Sequence, residues 1–194
     1  AEGIIESGEI KSEERLVAAI KQALGRVKEK KISTKYVVAA LPEEKAFVQV
    51  IQIPRMKREE MMVAIRFQAG NFIPYPIDTL YLDFAVIPPV HDHLDHLDVL
   101  VASLPREIVD SYMSALEKAG LVPAALEIDA IALTRAVVEK GVSPVPLLVV
   151  DIGKVRTKLS IFSGYSVRFT TSLSLSSQQF TEAVARTLHV DEEK

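Results

Sequence analysis

Apolar residues along the chain change period several times, and each change marks an element. Leu16, Ile20, Ala23 and Val27 share one face at three- and four-residue spacing, which predicts a helix from about Glu13 to Glu29 capped by Ser12. The runs Tyr36 to Leu41 and Ala46 to Ile53 are β-rich, and Pro42-Glu43-Glu44-Lys45 between them reads as a tight connection, so a hairpin is expected. Met61, Met62, Ile65 and Ala69 give a helix over Lys57 to Ala69 that ends near Gly70, and Phe72-Ile73-Pro74-Tyr75-Pro76 imposes an extended link. Strands are predicted over Leu80 to Pro88 and Leu97 to Leu104, followed by a helix from Pro105 to Ala119 that stops at Gly120. Ile128, Ile131, Ala132 and Val138 suggest that the stretch Val122 to Lys140 contains a further helix, and Ser143-Pro144-Val145-Pro146 reads as a stiff linker at a domain boundary. Beyond it come strands Leu147 to Ile152, Thr157 to Phe162 and Tyr165 to Leu173, with a turn at Ser163-Gly164, then a helix from about Gln178 to Leu188.

The richest chemistry lies where the last group of strands begins. Leu147-Leu148-Val149-Val150 leads into the motif D-x-G-x-x-x-T, formed by Asp151, Gly153 and Thr157. A buried strand would deliver Asp151 at its end, Gly153 would allow a turn that other residues resist, and Thr157 would return a hydroxyl on the next strand. An aspartate so placed suits a metal-bound water, while turn amides face phosphate oxygens. An ordinary hairpin with a polar turn explains the same residues.

Composition narrows the classes. The chain has 194 residues, of which 48% are hydrophobic, enough for one large domain or two small ones. Lysine and arginine number 23 against 26 acidic residues, and the resulting charge of -3 gives no electrostatic reason to expect nucleic acid. Lys28, Lys30 and Lys31 read as the solvated, cationic end of the first helix. The chain has no cysteine, which excludes disulfides, thiol nucleophiles and cysteine metal sites and fits a reducing compartment, with the cytoplasm as default. Its apolar runs, such as Val145 to Val150, fall far short of the roughly 20 residues that span a bilayer. The N-terminus carries neither a signal peptide nor an initiator methionine, which leaves processing or trimming of a longer chain open. His91, Asp92, His93, Asp95, His96 and Asp98 form a loop rich in metal-ligand types, but a hairpin tip gives such ligands little support and a solvated loop is the plainer reading.

Several blocks in order resemble the PilM family of type IV pilus assembly proteins. They are Ile53-Pro54-Arg55-Met56, Glu59-Glu60 with Ala64-Ile65, Phe72-Ile73-Pro74-Tyr75-Pro76-Ile77, Leu82-Asp83-Phe84, Val99-Leu100-Val101-Ala102-Ser103, Ala119-Gly120-Leu121-Val122-Pro123, Leu126-Glu127-Ile128 and the D-x-G-x-x-x-T turn. The resemblance implies a mixed α/β chain with an actin-like ATPase (ribonuclease H-like) fold, related to the cell-division protein FtsA and partial here. It divides the chain into part of a first lobe (residues 1–53), a small inserted subdomain (54–120), a return to the first lobe with a linker (121–145) and the start of a second lobe (146–194). Asp151, Gly153, Lys154 and Thr157 would then be a second phosphate-binding loop for ATP and Mg²⁺, with Asp151 on the metal. Ser176-Ser177, standing where relatives carry two glycines, would cap a helix whose N-terminus favours an anion. The first phosphate loop, of the form D-x-G-x-x-S, has no counterpart in this sequence, nor has the glycine-rich adenosine site, so tight nucleotide binding and catalysis are not expected of this chain.

Family members bind the cytoplasmic tail of PilN, in a cleft between the first lobe and the small subdomain, at the cytoplasmic face of the inner membrane. The implied function is a peripheral cytoplasmic scaffold of the pilus assembly platform, with the tail adding a strand near Phe47, Val48 and Ile51. Two alternatives stay open: an actin-like ATP hydrolase with slow turnover in a longer chain, and an FtsA-like membrane anchor, which would need an amphipathic helix absent from this sequence. Self-association is a further open expectation.

Overall fold

The computed structural model describes residues 3–27, 32–89 and 95–191. The chain forms two compact units, Ala1–Ala132 and Leu133–Lys194.

In the first unit a short antiparallel hairpin, β1 (Ile5–Glu6) and β2 (Glu9–Ile10), precedes α1 (Glu13–Gly25). Ser12 caps α1 as predicted, its hydroxyl accepting from the Arg15 N–H at 3.4 Å. The expected lysine cluster at residues 28, 30 and 31 lies outside the described residues. Strand β3 (Tyr36–Leu41) and strand β4 (Phe47–Pro54) both form, but not as a hairpin. A tight hairpin turn wants residues that accept positive φ, and Pro42-Glu43-Glu44-Lys45 supplies none. The chain makes a 3-10 turn over Glu43–Lys45 instead, closed by the Ala46 N–H on the Glu43 carbonyl at 2.9 Å, and so redirects rather than reverses.

Strand β4 enters an antiparallel sheet with β5 (Leu80–Val86) and β6 (His96–Pro105), in the order β4-β6-β5. Helix α2 (Arg58–Ala69) covers one face: its buried Met61 and Ile65 cluster with Ile51, Ile53, Val99 and Val101. The opposite face contributes Leu104, Ala102 and Val48 to a second cluster with Leu41, Ile128, Ala130 and with Ile108 and Val109 of α3 (Arg106–Lys118). Gly120 follows α3 at φ +87, a conformation that glycine adopts without strain.

The segment Val122 to Lys140, expected to contain a helix, is a strand and then a helix. Residues Val122–Ile128 form β7, parallel to β3 from Tyr36↔Val122 to Leu41↔Ile128, and α4 spans Asp129–Val137. Parallel partners need a long crossover, and the whole β4 to α3 segment provides it.

In the second unit β8 (Ser143–Ile152), β9 (Thr157–Gly164) and β10 (Ser166–Leu173) form an antiparallel meander, followed by α5 (Ser177–Leu188). Ser143 to Pro146, predicted as a linker, is the start of β8. Prolines lack the ladder N–H, so Pro144 and Pro146 sit on an edge strand where the register shifts between Ser143 and Leu147.

Candidate functional site

The first unit holds a groove of about 450 Å³. Its walls combine one face of the three-stranded sheet, through Leu100 and Leu104, with Leu41, Leu126 and Ile128 of the β3–β7 pair and Val109 of α3. Strand β5 runs along it as a sheet edge. The Ile87 N–H bonds to the Asp98 carbonyl at 2.9 Å, so by alternation Tyr81, Asp83 and Ala85 spend their backbone groups on β6. Leu82, Phe84 and Val86 therefore direct theirs outward, along the edge.

Two polar devices sit on this edge. The Tyr81 hydroxyl donates to Asp110 Oδ1 at 3.0 Å, and the Arg106 guanidinium lies 4.3 Å over the Tyr81 ring, which locks an aromatic wall in place. Asp83 Oδ1 accepts from the outward N–H of Phe84 at 2.8 Å. The only other charged residue lining the groove, among the described residues, is Glu127.

The residues expected to meet a partner, Phe47, Val48 and Ile51, lie on β4, the far edge of the same sheet, and none lines the groove. Ile51 is buried under α2, Phe47 packs edge-on to Tyr75 with ring centroids 5.6 Å apart, and Val48 packs into the core cluster of Leu41, Leu104 and Ile128 on the groove side of the sheet. Sequence reasoning missed Tyr81, Asp83 and Glu127. The alternation of Leu80-Tyr81-Leu82-Asp83-Phe84 was visible, but only the strand order shows that β5 is an edge.

In the second unit the D-x-G-x-x-x-T residues come together as the β8–β9 turn, with Asp151 opposite Lys158 and Ile152 opposite Thr157. Gly153 is not at positive φ. Its need is steric: a Cβ there would lie 2.8 Å from the Arg156 carbonyl oxygen, which accepts the Gly153 N–H at 2.9 Å. Thr157 is 4% exposed and its hydroxyl has no hydrogen-bond partner. Ser176 caps α5 in a reciprocal capping box with Gln179, as its identity predicts. The anion expected at this helix end meets a different arrangement. The Ser177 N–H donates to the Gly153 carbonyl at 2.9 Å and the Gln178 N–H to the Lys154 carbonyl at 3.4 Å, so the first amides of α5 clamp the turn. The turn thus brings Asp151, Gly153, Lys154, Thr157, Ser176 and Ser177 together, with the Gly153, Ser177 and Gln178 amides bonded within the chain, and no step through ATP or Mg²⁺ is derived.

Of the histidine-rich loop, residues 91–94 lie outside the described residues. His96 Nδ1 is 2.8 Å from Asp95 Oδ1, a contact that lowers the Asp95 pKa, and no group of three metal-ligating side chains occurs among the described residues.

The profile of type IV pilus assembly protein PilM matches residues 1–194. The chain belongs to the PilM family. A solved structure described as a PilM–PilN type IV pilus biogenesis complex is similar at 32% identity and a TM-score of 0.79, over 99% of this chain and 57% of that one. The chain thus spans little more than half of that PilM relative. Two more distant structures share the fold at a TM-score of 0.53 each. The ethanolamine utilization protein EutJ from Carboxydothermus hydrogenoformans is 13% identical, over 98% of this chain and 47% of that one. The cytoplasmic domain of EpsL, an inner membrane component of the Vibrio cholerae type II secretion system, is 12% identical, over 92% of this chain and 64% of that one. With these neighbours the PilM family chain has the actin-like ATPase fold. No helix among the described residues is long and apolar enough to cross a membrane.

Proposed function

We propose that this chain works in type IV pilus assembly as a docking scaffold whose groove receives the extended tail of a PilN-type partner as a fourth strand on β5. The observation that carries the reading is the coincidence of a free strand edge with an apolar groove: outward amides and carbonyls of Leu82, Phe84 and Val86 border walls built from Leu41, Leu100, Leu126 and Ile128. Strand addition uses both, main-chain hydrogen bonds for affinity and alternate apolar side chains for choice. The likeness to a PilM bound to PilN supports the partner. The family's cytoplasmic place at the inner membrane follows from that partner, and association with the membrane would run through it. Phe47 and Ile51 then support the sheet from its α2 side and Val48 packs in the core beside the groove, rather than touching the tail.

Fluorescence anisotropy with a labelled PilN tail peptide tests the site. Saturable binding is expected, and Ala85→Trp, which fills the groove from an exposed position on β5, is expected to weaken it at least about tenfold. Unchanged affinity in that variant would place the peptide elsewhere. Methylating alternate peptide amides removes edge hydrogen bonds without changing side chains and is expected to abolish binding.

A further inference from the structure

We propose that Asp83 is a specificity-determining residue of the groove, and that the strand it admits carries a basic side chain beside it. The inference rests on the docking reading above and adds the chemistry of the ligand.

Three observations converge on Asp83. It faces the groove on the free edge strand, one position before Phe84, and its carboxylate accepts the Phe84 N–H at 2.8 Å. That amide is one of the outward donors that an added strand needs, so the carboxylate stands where the ligand's carbonyl would go. Second, the groove is single-signed: Asp83 and Glu127 line it with no lysine or arginine among the described residues. The Arg106 guanidinium stacks on Tyr81 and donates its Nε–H to the Asp78 carbonyl at 3.1 Å, and it does not itself line the groove. Third, Asp83 is exposed, and its carboxylate is free to swing from the amide to a new donor without leaving a buried charge.

An inward charge on an edge strand guards the edge against unsuitable strands. A neutral strand that displaces the carboxylate from the Phe84 N–H returns nothing to it. A strand with a lysine or arginine at that position returns an ion pair. Discrimination therefore comes from a repulsive element and its specific relief, and charge complementarity governs choice more than raw affinity.

The test uses the 194-residue chain, the labelled PilN tail peptide and a copy whose lysines and arginines are replaced by glutamine. The wild type is expected to bind the basic peptide about fivefold more tightly than the neutral copy at low salt, a preference that shrinks as salt rises. Asp83→Asn keeps an oxygen to cap the Phe84 N–H and removes only the charge, so it is expected to bring the two affinities together. Equal affinities in the wild type would overturn the inference and leave the docking reading standing. Binding of neither peptide would overturn both. A preference that survives Asp83→Asn would show that the charge is read elsewhere, and a uniform rise in affinity for both peptides with the preference intact would reduce Asp83 to an edge guard.

Discussion

Gly153 carries the sharpest single-residue requirement in the candidate turn. The D-x-G pattern marks it as special, and the expected reason was conformational freedom, yet its φ is ordinary and the constraint is the approach of the Arg156 carbonyl. A Cβ at 2.8 Å from a backbone oxygen cannot be relieved by a flexible side chain, so the turn itself must open. Gly153→Ala is expected to lower stability by about 2 kcal/mol in urea denaturation, and a loss near zero would refute the close approach. Periodicity and motif reading found the residue. The direction of a carbonyl three positions further on lies beyond them, because it depends on how the turn closes against α5.

At the level of elements, carboxylate clamps join pieces that the sequence leaves far apart. Glu9 on β2 pairs with Lys11 and with Lys45 of the 3-10 turn after β3, each at 2.7 Å. The hydrogen bond from Lys11, and then that from Lys45, lower its pKa from 4.5 to about 2. A depressed acid pKa stabilises the fold above the unfolded value and loses that contribution as pH falls through the folded one. Glu9→Gln is therefore expected to be less stable than the wild type at neutral pH, with the difference in urea midpoint vanishing as pH falls from about 5 to about 2. A difference independent of pH would count against the clamp. Most helices and the strands of the β4-β6-β5 sheet were legible here, since each carries its own period. Val122–Ile128 was not: a short apolar run reads alike as helix or strand, and its partner β3 lies far upstream.

At the scale of the whole molecule, one side of the second unit's sheet presents a row of exposed apolar side chains. Leu148 lies opposite Ile161, which lies opposite Phe169, and Val150 opposite Leu159 continues the same face. Leu148, Val150, Ile152 and Phe169 are 63%, 48%, 57% and 52% exposed, a contiguous patch rather than scattered side chains. The chain is expected to bind the dye 1-anilinonaphthalene-8-sulfonate, with Val150→Lys cutting the fluorescence by about half, and no dye binding by the native chain would contradict an accessible face. Sequence alone determined most element types, the cap at Ser12, the Ser176 cap and the β8–β9 turn, because periods and capping hydrogen bonds act over a few residues. The family blocks were readable in the same way, as local words in order. Only tertiary structure decided that β3 pairs with β7, that β5 is a sheet edge among the described residues, and that the first amides of α5 close on the Gly153 turn. Those outcomes depend on which distant strand wins each ladder and which donors remain afterwards, a competition among segments that no local pattern records.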